Sequence, residues 1–306
     1  MKHSLHITLY LIGLFILSQI MGLYIINQYI DYSLVIETQE EAFKDLPFNF
    51  ERPEIDQQYS FTYIFIGIII GTVLLLLLIR FKKVRVWKLW YFLSVLLTLS
   101  IALAAFVDSI IAFIIAVIVS SIKVFKSNLV IHNFSEIFIY GGLGAIFVPV
   151  INIFAAIMLL LLISLYDMYA VWKSKHMITL AKFQSKSNVF AGLYMPYDKK
   201  PLQVNRKTKI KIKKGEKKLR EQKIAMLGGG DIGFPLIFSG VIMKKIIITH
   251  LGILGFMYSL IIPLFCAISL GCLFMLSKKN KFYPAMPFLS MGCFVGYGAL
   301  LIFSII

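Results

Sequence analysis

The stretch AMLGGGDIGFP, Ala225 to Pro235, follows the lysine-rich polar segment 173–223 and opens an apolar run long enough to enter a membrane. It places three consecutive glycines and Asp231 where a membrane helix should be most regular. Each glycine costs about 1 kcal/mol against alanine in a helix. An acid at the bilayer centre costs roughly 2.5–3.5 kcal/mol on insertion scales. Both features in one turn predict a functional site.

The rest of the sequence predicts a polytopic membrane protein of the all-α class. Of the 306 residues, 59% are hydrophobic and 15% are charged, whereas a soluble domain carries roughly 25% charged residues. Runs of about 18 or more apolar residues, which can cross a hydrocarbon core of roughly 30 Å, recur along the chain. They predict nine transmembrane helices, at about 5–29, 60–79, 89–107, 109–122, 136–151, 152–172, 224–243, 250–276 and 285–306.

The distribution of Lys and Arg predicts the orientation of these helices. In a nine-helix chain, 27 of the 31 Lys and Arg residues fall on one side of the membrane. The other side has four, and its first loop, 31–58, contains eight acids. Because excess Lys and Arg marks the cytoplasmic face, we expect a cell-membrane protein with a cytoplasmic amino terminus and an outer carboxyl terminus.

The long polar loop divides the chain into three parts. Residues 1–186 contain helices one to six, residues 187–223 are predicted to be a flexible basic cytoplasmic loop, and residues 224–306 contain helices seven to nine. We expect this loop to contact membrane lipid, since each nearby basic residue contributes about 1 kcal/mol toward anionic headgroups. No nucleic-acid partner is predicted, because the aromatic residues lie in the apolar runs rather than among these lysines.

Four acids lie outside the first loop and the segment 173–223: Asp108, Glu136, Asp167 and Asp231. Asp108 falls in a tight turn, and Glu136 begins a predicted helix, where an acid is favourable. Asp167 and Asp231 lie inside apolar sequence on helices six and seven, at depths of about 9 Å and about 12 Å. Two carboxylates held close together tend to share a proton. One then activates water while the other polarises a carbonyl, so an amide is hydrolysed without metal or cofactor.

The glycines next to Asp231 also require an interpretation. Residues Gly228 to Gly230 are predicted to loosen the start of helix seven, so that another backbone can approach the carboxylate. Close helix packing is the alternative interpretation. It is the one that we favour for the Gly-x-x-x-Gly segments 67–71 and 292–296.

Three segments together resemble one protein family. They are LYDMYAVW (165–172), LGGGDIGFP (227–235) and YPAMPFL (283–289). They resemble the YD, GxGD and PAL signatures of presenilin and signal peptide peptidase, the GxGD intramembrane aspartyl proteases, in the same order and on helices six, seven and nine. The compact chain is most similar to the microbial and archaeal homologues. The resemblance covers all nine predicted helices, although the first five carry no motif.

This resemblance implies a presenilin-like fold and an aspartic endopeptidase that cleaves transmembrane helices of membrane proteins or signal-peptide substrates. Asp167 and Asp231 would be the catalytic pair. Residues of the three motifs would support the site or bind substrate, with Gly229 at the variable position of GxGD: Tyr166, Gly228, Gly229, Gly230, Pro284, Ala285 and Met286.

The third motif departs from the family at Met286, where leucine is usual. Methionine is similar in volume and more flexible, so we expect it to affect the fit of a substrate rather than activity itself. Pro284 and Pro287 are predicted to keep the two residues between them extended, with carbonyls free for a substrate strand.

Other functions are less consistent with the residues. Preflagellin and prepilin peptidases share a GxGD aspartate, but the YD and PAM segments disfavour them. Secondary transporters also place carboxylates on broken helices, but no matching interruptions occur in two repeated halves. No H-E-x-x-H or C-x-x-C sequence predicts a metal site. The orientation resembles presenilin whereas GDIGFP resembles signal peptide peptidase, so the branch stays open, as do the substrate and the oligomeric state.

Overall fold

The computed structural model describes residues 5–81, 83–126, 128–174, 180, 183, 189–196, 224–277 and 283–303. Within these residues, eight helical segments are long and apolar enough to cross a membrane. A ninth apolar helix, Met286–Ile302, is shorter at 17 residues. The prediction of an all-α polytopic fold is confirmed, and the described part of the chain matches nine predicted spans with eight long helices and one short one.

The first half of the chain forms seven α-helices. They are α1 (Leu5–Gln28), α2 (Tyr32–Thr38), α3 (Ser60–Arg80), α4 (Val84–Ala104), α5 (Ser109–Ser121), α6 (Leu129–Phe147) and α7 (Ile153–Met168). The side chains of Asp108 and Asn152 accept hydrogen bonds from the first turns of α5 and α7, where the backbone N–H groups have no partner within the helix. Both helices continue as π-helical turns, Ile122–Lys126 and Tyr169–Lys173.

The second half contains a pair of strands and four α-helices. They are β1 (Gly192–Pro196), β2 (Ile224–Gly228), α8 (Gly229–Thr249), α9 (Ile253–Ser259), α10 (Ile261–Leu276) and α11 (Met286–Ile302). The helices α9 and α10 follow one another closely and form a single apolar span.

The two strands were not predicted from the sequence. All five residues of β1 pair antiparallel with β2. The segment 187–223, predicted to be a flexible loop, contains β1, and its residues 187–188 and 197–223 lie outside the described residues, so its flexibility stays a prediction. The seventh spanning helix begins at Gly229 and not at residue 224. Leu193 and Leu227 are buried in the core, and strand pairing supplies hydrogen-bond partners for the backbone that carries them.

The helix α8 is the centre of the bundle. Most of its residues are buried, and it packs against α1, α6, α7, α9 and α11. In contrast, Ser60 is the one buried residue that α3 contributes among its described residues. Helices from both halves of the chain therefore pack around α8, which carries Asp231 in its first turn.

The two Gly-x-x-x-Gly segments have different surroundings. A Cβ added to Gly292 or Gly296 would lie 2.9 Å from the backbone of α10, so the packing interpretation of the segment 292–296 is confirmed. A Cβ at Gly67 or Gly71 would have no heavy atom of the described residues within 4 Å. The packing interpretation of the segment 67–71 is therefore wrong, because α3 lies at the edge of the bundle.

Candidate active site

Asp167 lies in the last turn of α7, and 6% of it is exposed. Its Oδ2 accepts a hydrogen bond from the backbone N–H of Met286 at 3.1 Å. Met286 is the first residue of α11, and N–H groups at a helix start have no partner within their own helix. The start of α11 therefore holds this carboxylate in place.

Asp231 is the third residue of α8 and is partly exposed. Gly228 precedes the helix in an extended conformation, with φ −65° and ψ 151°. The backbone of Gly228 forms a hydrogen bond with the Asp231 carboxylate, and a Cβ on this glycine would lie 3.2 Å from Oδ2. The helix dipole also favours an acid in the first turn.

The two carboxylates come from packed neighbouring helices, α7 and α8. They are close enough for the charge of Asp167 to act on Asp231. Two like charges in such surroundings do not ionise together without cost, and one proton held by the pair removes the repulsion. Two carboxyl groups that share one proton can supply a base and an acid at one place.

The three glycines before Asp231 have different surroundings. A Cβ on Gly229 would lie 2.8 Å from the Tyr140 hydroxyl on α6, and the Gly229 N–H donates to the carbonyl oxygen of Ala191 at 3.1 Å. Gly228 lies before the helix, and Gly230 is exposed. The predicted loosening of the helix start is thus not what the fold shows, since a strand ends there and Gly229 is tightly packed.

The prediction of an extended segment between Pro284 and Pro287 is wrong. Ala285 has helical φ and ψ of −89° and −31° and caps α11, and Met286 is already helical. The Ala285 carbonyl accepts a hydrogen bond from the N–H of Leu289 at 3.1 Å, so it is not free for a substrate strand. Proline at the start of a helix costs little because the missing N–H would have had no helical partner.

Tyr166, the residue before Asp167, contacts α3. Its hydroxyl donates to Thr72 Oγ1 at 3.2 Å, and its ring packs edge-to-face on Phe65 with 6.4 Å between centroids. The side chain therefore joins α7 to the peripheral helix. A contribution of Tyr166 to the site itself stays a prediction.

Sequence reasoning missed a buried ion pair close to β1. Glu136, predicted to begin a helix, lies well inside α6, which starts at Leu129. It is 1% exposed, and its Oε1 is 2.6 Å from Lys123 Nζ. The sequence could have indicated this pair, because an ionisable residue within apolar membrane sequence costs free energy unless it has a partner.

No group of three or more His, Cys, Asp and Glu side chains that could hold a metal ion occurs in the part of the chain that the structure describes. Backbone groups of Ala285 and Met286 contact Asp167, and the backbone of Gly228 contacts Asp231.

The sequence matches a family model over residues 14–306, a range that contains all three motifs. The model is described as signal-peptide peptidase, presenilin aspartyl protease. Among curated proteins, no significant match was found.

Two solved structures share the fold, and each is described as a presenilin family intramembrane aspartate protease. The first, in space group C222, is 18% identical with a TM-score of 0.59, and the alignment covers 96% of this chain and 99% of that one. The second, in space group P2, is 18% identical with a TM-score of 0.56, covering 97% and 98%. At this identity the likeness shows the fold, in agreement with the presenilin-like fold that the motifs imply.

Proposed function

The chain belongs to the signal-peptide peptidase and presenilin family and is an intramembrane aspartic protease, and we propose that Asp167 and Asp231 are its catalytic pair. The observation that carries the proposal is their placement on packed helices, with Asp167 in the last turn of α7 and Asp231 in the first turn of α8. The backbone donors at Met286 and Gly228 support it, because they hold each carboxylate from a different element. Groups held before the substrate arrives need no reorganisation during the reaction.

The proposed reaction is the addition of water to a peptide carbonyl. One carboxylate takes a proton from water as the water oxygen bonds to the carbonyl carbon, and the protonated partner gives its proton to the carbonyl oxygen. The tetrahedral intermediate then collapses. A proton passes to the amide nitrogen, the C–N bond breaks, and the products are an acid and an amine. The shared proton belongs to the pair, so neither aspartate is assigned as the acid.

The proposed substrates are transmembrane helices of membrane proteins or signal peptides. Backbone opened within lipid must find partners in protein or in a wet cavity, so part of the substrate helix has to unwind before its carbonyl can be attacked. Gly230, which is exposed beside Asp231, supports an approach of the substrate backbone from this side. The family match favours this function over a preflagellin or prepilin peptidase and over a secondary transporter.

The test uses purified, reconstituted protein and a panel of tagged single-span substrates, with products identified by mass spectrometry. We expect Asp167→Asn and Asp231→Asn each to abolish cleavage while elution and thermal unfolding stay close to wild type, because most helix packing is untouched. A peptide analogue with a hydroxyl in place of the scissile carbonyl should inhibit the wild type, since a dyad binds the tetrahedral geometry more tightly than a planar amide.

Asp108→Asn is the matched control. The Asp108 side chain accepts a hydrogen bond from the N–H of Ile110 at the start of α5. Because asparagine caps a helix about as well as aspartate, this variant should retain activity. Wild-type turnover by Asp167→Asn on a cleaved substrate would exclude the dyad.

A further inference from the structure

A cluster of buried polar side chains lies against β1, on the edge opposite β2. All of its members are less than 9% exposed. They come from α4, from the π-helical turn after α5 and from α6, and we call them the Glu136 cluster: Tyr91, Lys123, His132, Asn133, Ser135, Glu136 and Tyr140. The reaction proposed above uses none of them.

Glu136 is the centre of this cluster, and both of its carboxylate oxygens accept more than one contact. Oε1 is 2.6 Å from Lys123 Nζ and 3.1 Å from the Tyr91 hydroxyl. Oε2 accepts hydrogen bonds from the backbone N–H of Gly192, at 3.1 Å, and from the Tyr140 hydroxyl. An ionised carboxylate offers about four lone-pair sites, and four groups lie within hydrogen-bond distance of them.

Lys123 is satisfied as completely as its partner. Besides Glu136, its ammonium group donates to Ser135 Oγ at 2.9 Å and to the His132 carbonyl at 3.3 Å. All three of its donors are therefore used. The ion pair is built with defined geometry and is not a chance approach of two charges.

The cluster binds the backbone of β1 as a neighbouring strand would. Asn133 donates to the Tyr194 carbonyl at 2.9 Å and accepts the Tyr194 N–H at 3.2 Å. His132 Nε2 contacts the Gly192 carbonyl at 2.8 Å. With the bond from the Gly192 N–H to Glu136, alternate residues of β1 are thus held by α6, and β2 pairs with the other edge.

Two routes connect Glu136 to the catalytic pair. Along the first, β1 pairs with β2 as far as Gly228, whose backbone contacts Asp231, and the Gly229 N–H donates to the residue before β1. Along the second, Tyr140, which donates to Glu136, packs on Gly229, where an added Cβ would lie 2.8 Å from its hydroxyl.

Stability alone does not explain this ion pair. Removing two charges from water is expensive, and well-packed apolar residues of similar volume are often as stabilising as a buried pair. A fully satisfied polar network does, however, select a single arrangement of its partners. Its partners here are the strand and the glycine that precede Asp231.

We propose that Glu136, charge-balanced by Lys123, is a positioning residue for proteolysis, because it fixes β1 and Tyr140 and through them the place of Asp231. The inference rests on the function proposed above. It assigns to Glu136 no contact with substrate and no part in proton transfer.

Glu136→Gln is the direct test. Glutamine keeps the size of the side chain, but its NH2 group can only donate, so it cannot accept the Lys123 contact and the Gly192 N–H together. We expect kcat to fall by up to about 100-fold, the loss that misplacing a reacting group by about 1 Å can cause. The KM should change little, because binding of the substrate helix does not depend on this carboxylate.

Glu41→Gln is the matched control for lost stability. Glu41 also pairs with a buried lysine of the same bundle, Lys244, at 2.6 Å, but near the opposite end of α8 from Asp231. We expect this variant to unfold at a lower temperature and to keep wild-type kcat at temperatures where it is folded.

Hydrogen exchange of the β1 amides supplies a measurement that does not need activity. We expect Glu136→Gln to accelerate exchange over residues 189–196, and Glu41→Gln not to do so. If the aspartates are not catalytic, Asp167→Asn and Asp231→Asn will retain cleavage. The exchange measurement still tests in that case whether Glu136 anchors β1.

The proposal is overturned if Glu136→Gln keeps wild-type kcat, or if its activity falls only in proportion to its folded fraction. Should Glu136→Gln not fold, Tyr91→Phe decides the question. This variant removes the hydroxyl that lies 3.1 Å from Glu136 Oε1 and 2.9 Å from the Phe190 carbonyl oxygen, and it introduces no charge. A lowered kcat with faster β1 exchange supports the positioning role, and wild-type values of both refute it.

Discussion

At the scale of single residues, the neighbours Gly229 and Gly230 have different constraints although both belong to the GGGD motif. A Cβ on Gly229 would meet the Tyr140 hydroxyl at 2.8 Å, and this hydroxyl cannot easily move because it donates to buried Glu136. A Cβ on Gly230 would touch Phe234 at 3.4 Å, an ordinary contact.

We therefore predict that Gly229→Ala lowers the free energy of unfolding by about 1–3 kcal/mol, the usual cost of overpacking. Gly230→Ala should change it by no more than about 0.5 kcal/mol, as exposed substitutions usually do. Thermal unfolding in one detergent measures both. Equal destabilisation by the two variants would contradict this account of the motif.

A second prediction at this scale concerns Glu41, which lies 2.6 Å from Lys244 and 2.9 Å from Lys245. Burial opposes ionisation of this carboxyl, but the two lysines outweigh burial and hold its pKa below the ordinary value of 4.5. A group with a lowered pKa in the folded state stabilises the fold above its unfolded-state pKa, and the contribution is lost as pH falls through the folded-state pKa.

Stability should thus decline in the wild type as pH falls below about 4.5, partly through Glu41. In Glu41→Gln that part of the decline should be missing. Unfolding temperatures of both proteins between pH 7 and pH 3.5 test this. Parallel curves over the whole range would show that titration of Glu41 contributes nothing to the pH dependence of stability.

At the scale of elements, the contact between α10 and α11 depends on small residues at their interface. A Cβ on Gly292 would lie 2.9 Å from the backbone of Cys266, whereas one on Gly298, on the same helix, would meet no described atom within 4 Å. The start of α11 donates to Asp167, so this packing also sets the place of a candidate catalytic group.

Gly292→Ala should destabilise the protein by about 1–3 kcal/mol, because the two helix backbones would have to separate. Gly298→Ala should be neutral or stabilise by up to about 1 kcal/mol, the difference in helix propensity. Unfolding temperature and cleavage rate are the two measurements. A destabilising Gly298→Ala would show that the two positions are not distinguished by packing.

At the scale of the whole molecule, we propose that the amino terminus and the segment 187–223 face the cytoplasm and that the carboxyl terminus lies outside. The basis is the distribution of 27 of 31 Lys and Arg residues on one side of nine helices. The catalytic pair would then lie toward the cytoplasmic third of the membrane.

Cysteine labelling tests this orientation in a background without the native cysteines. Asn205→Cys, outside the described residues, should react with a membrane-impermeant reagent only after the cells are opened. Glu54→Cys, which lies in the first long connection and is exposed, should react in intact cells. The opposite pattern would invert the topology and move the enzyme to the orientation of signal peptide peptidase. The native positions to be changed to alanine are Cys266, Cys272 and Cys293.

The helices could be predicted from the sequence because their cause is local. Lipid offers no partners to backbone polar groups, so a long apolar run forms a helix wherever it lies in the bundle. The two aspartates could be predicted from the sequence as well, because an acid within apolar sequence is rare enough to indicate function. The catalytic role of Asp167 and Asp231 stays a prediction for the experiments above.

Only the tertiary structure decided which distant groups meet. β1 pairs with β2 from more than twenty residues away, and a pair of strands by itself is only marginally stable in water. The prolines at the start of α11 are compatible with either an extended or a helical backbone. The structure has the helical form, in which the N–H of Met286 donates to Asp167. The sequence alone predicts Glu136 at the start of a helix, whereas in the fold its side chain contacts Lys123 and the backbone of β1. The apolar pattern determines local structure, whereas the partner of a buried polar group depends on contacts between segments far apart in the chain.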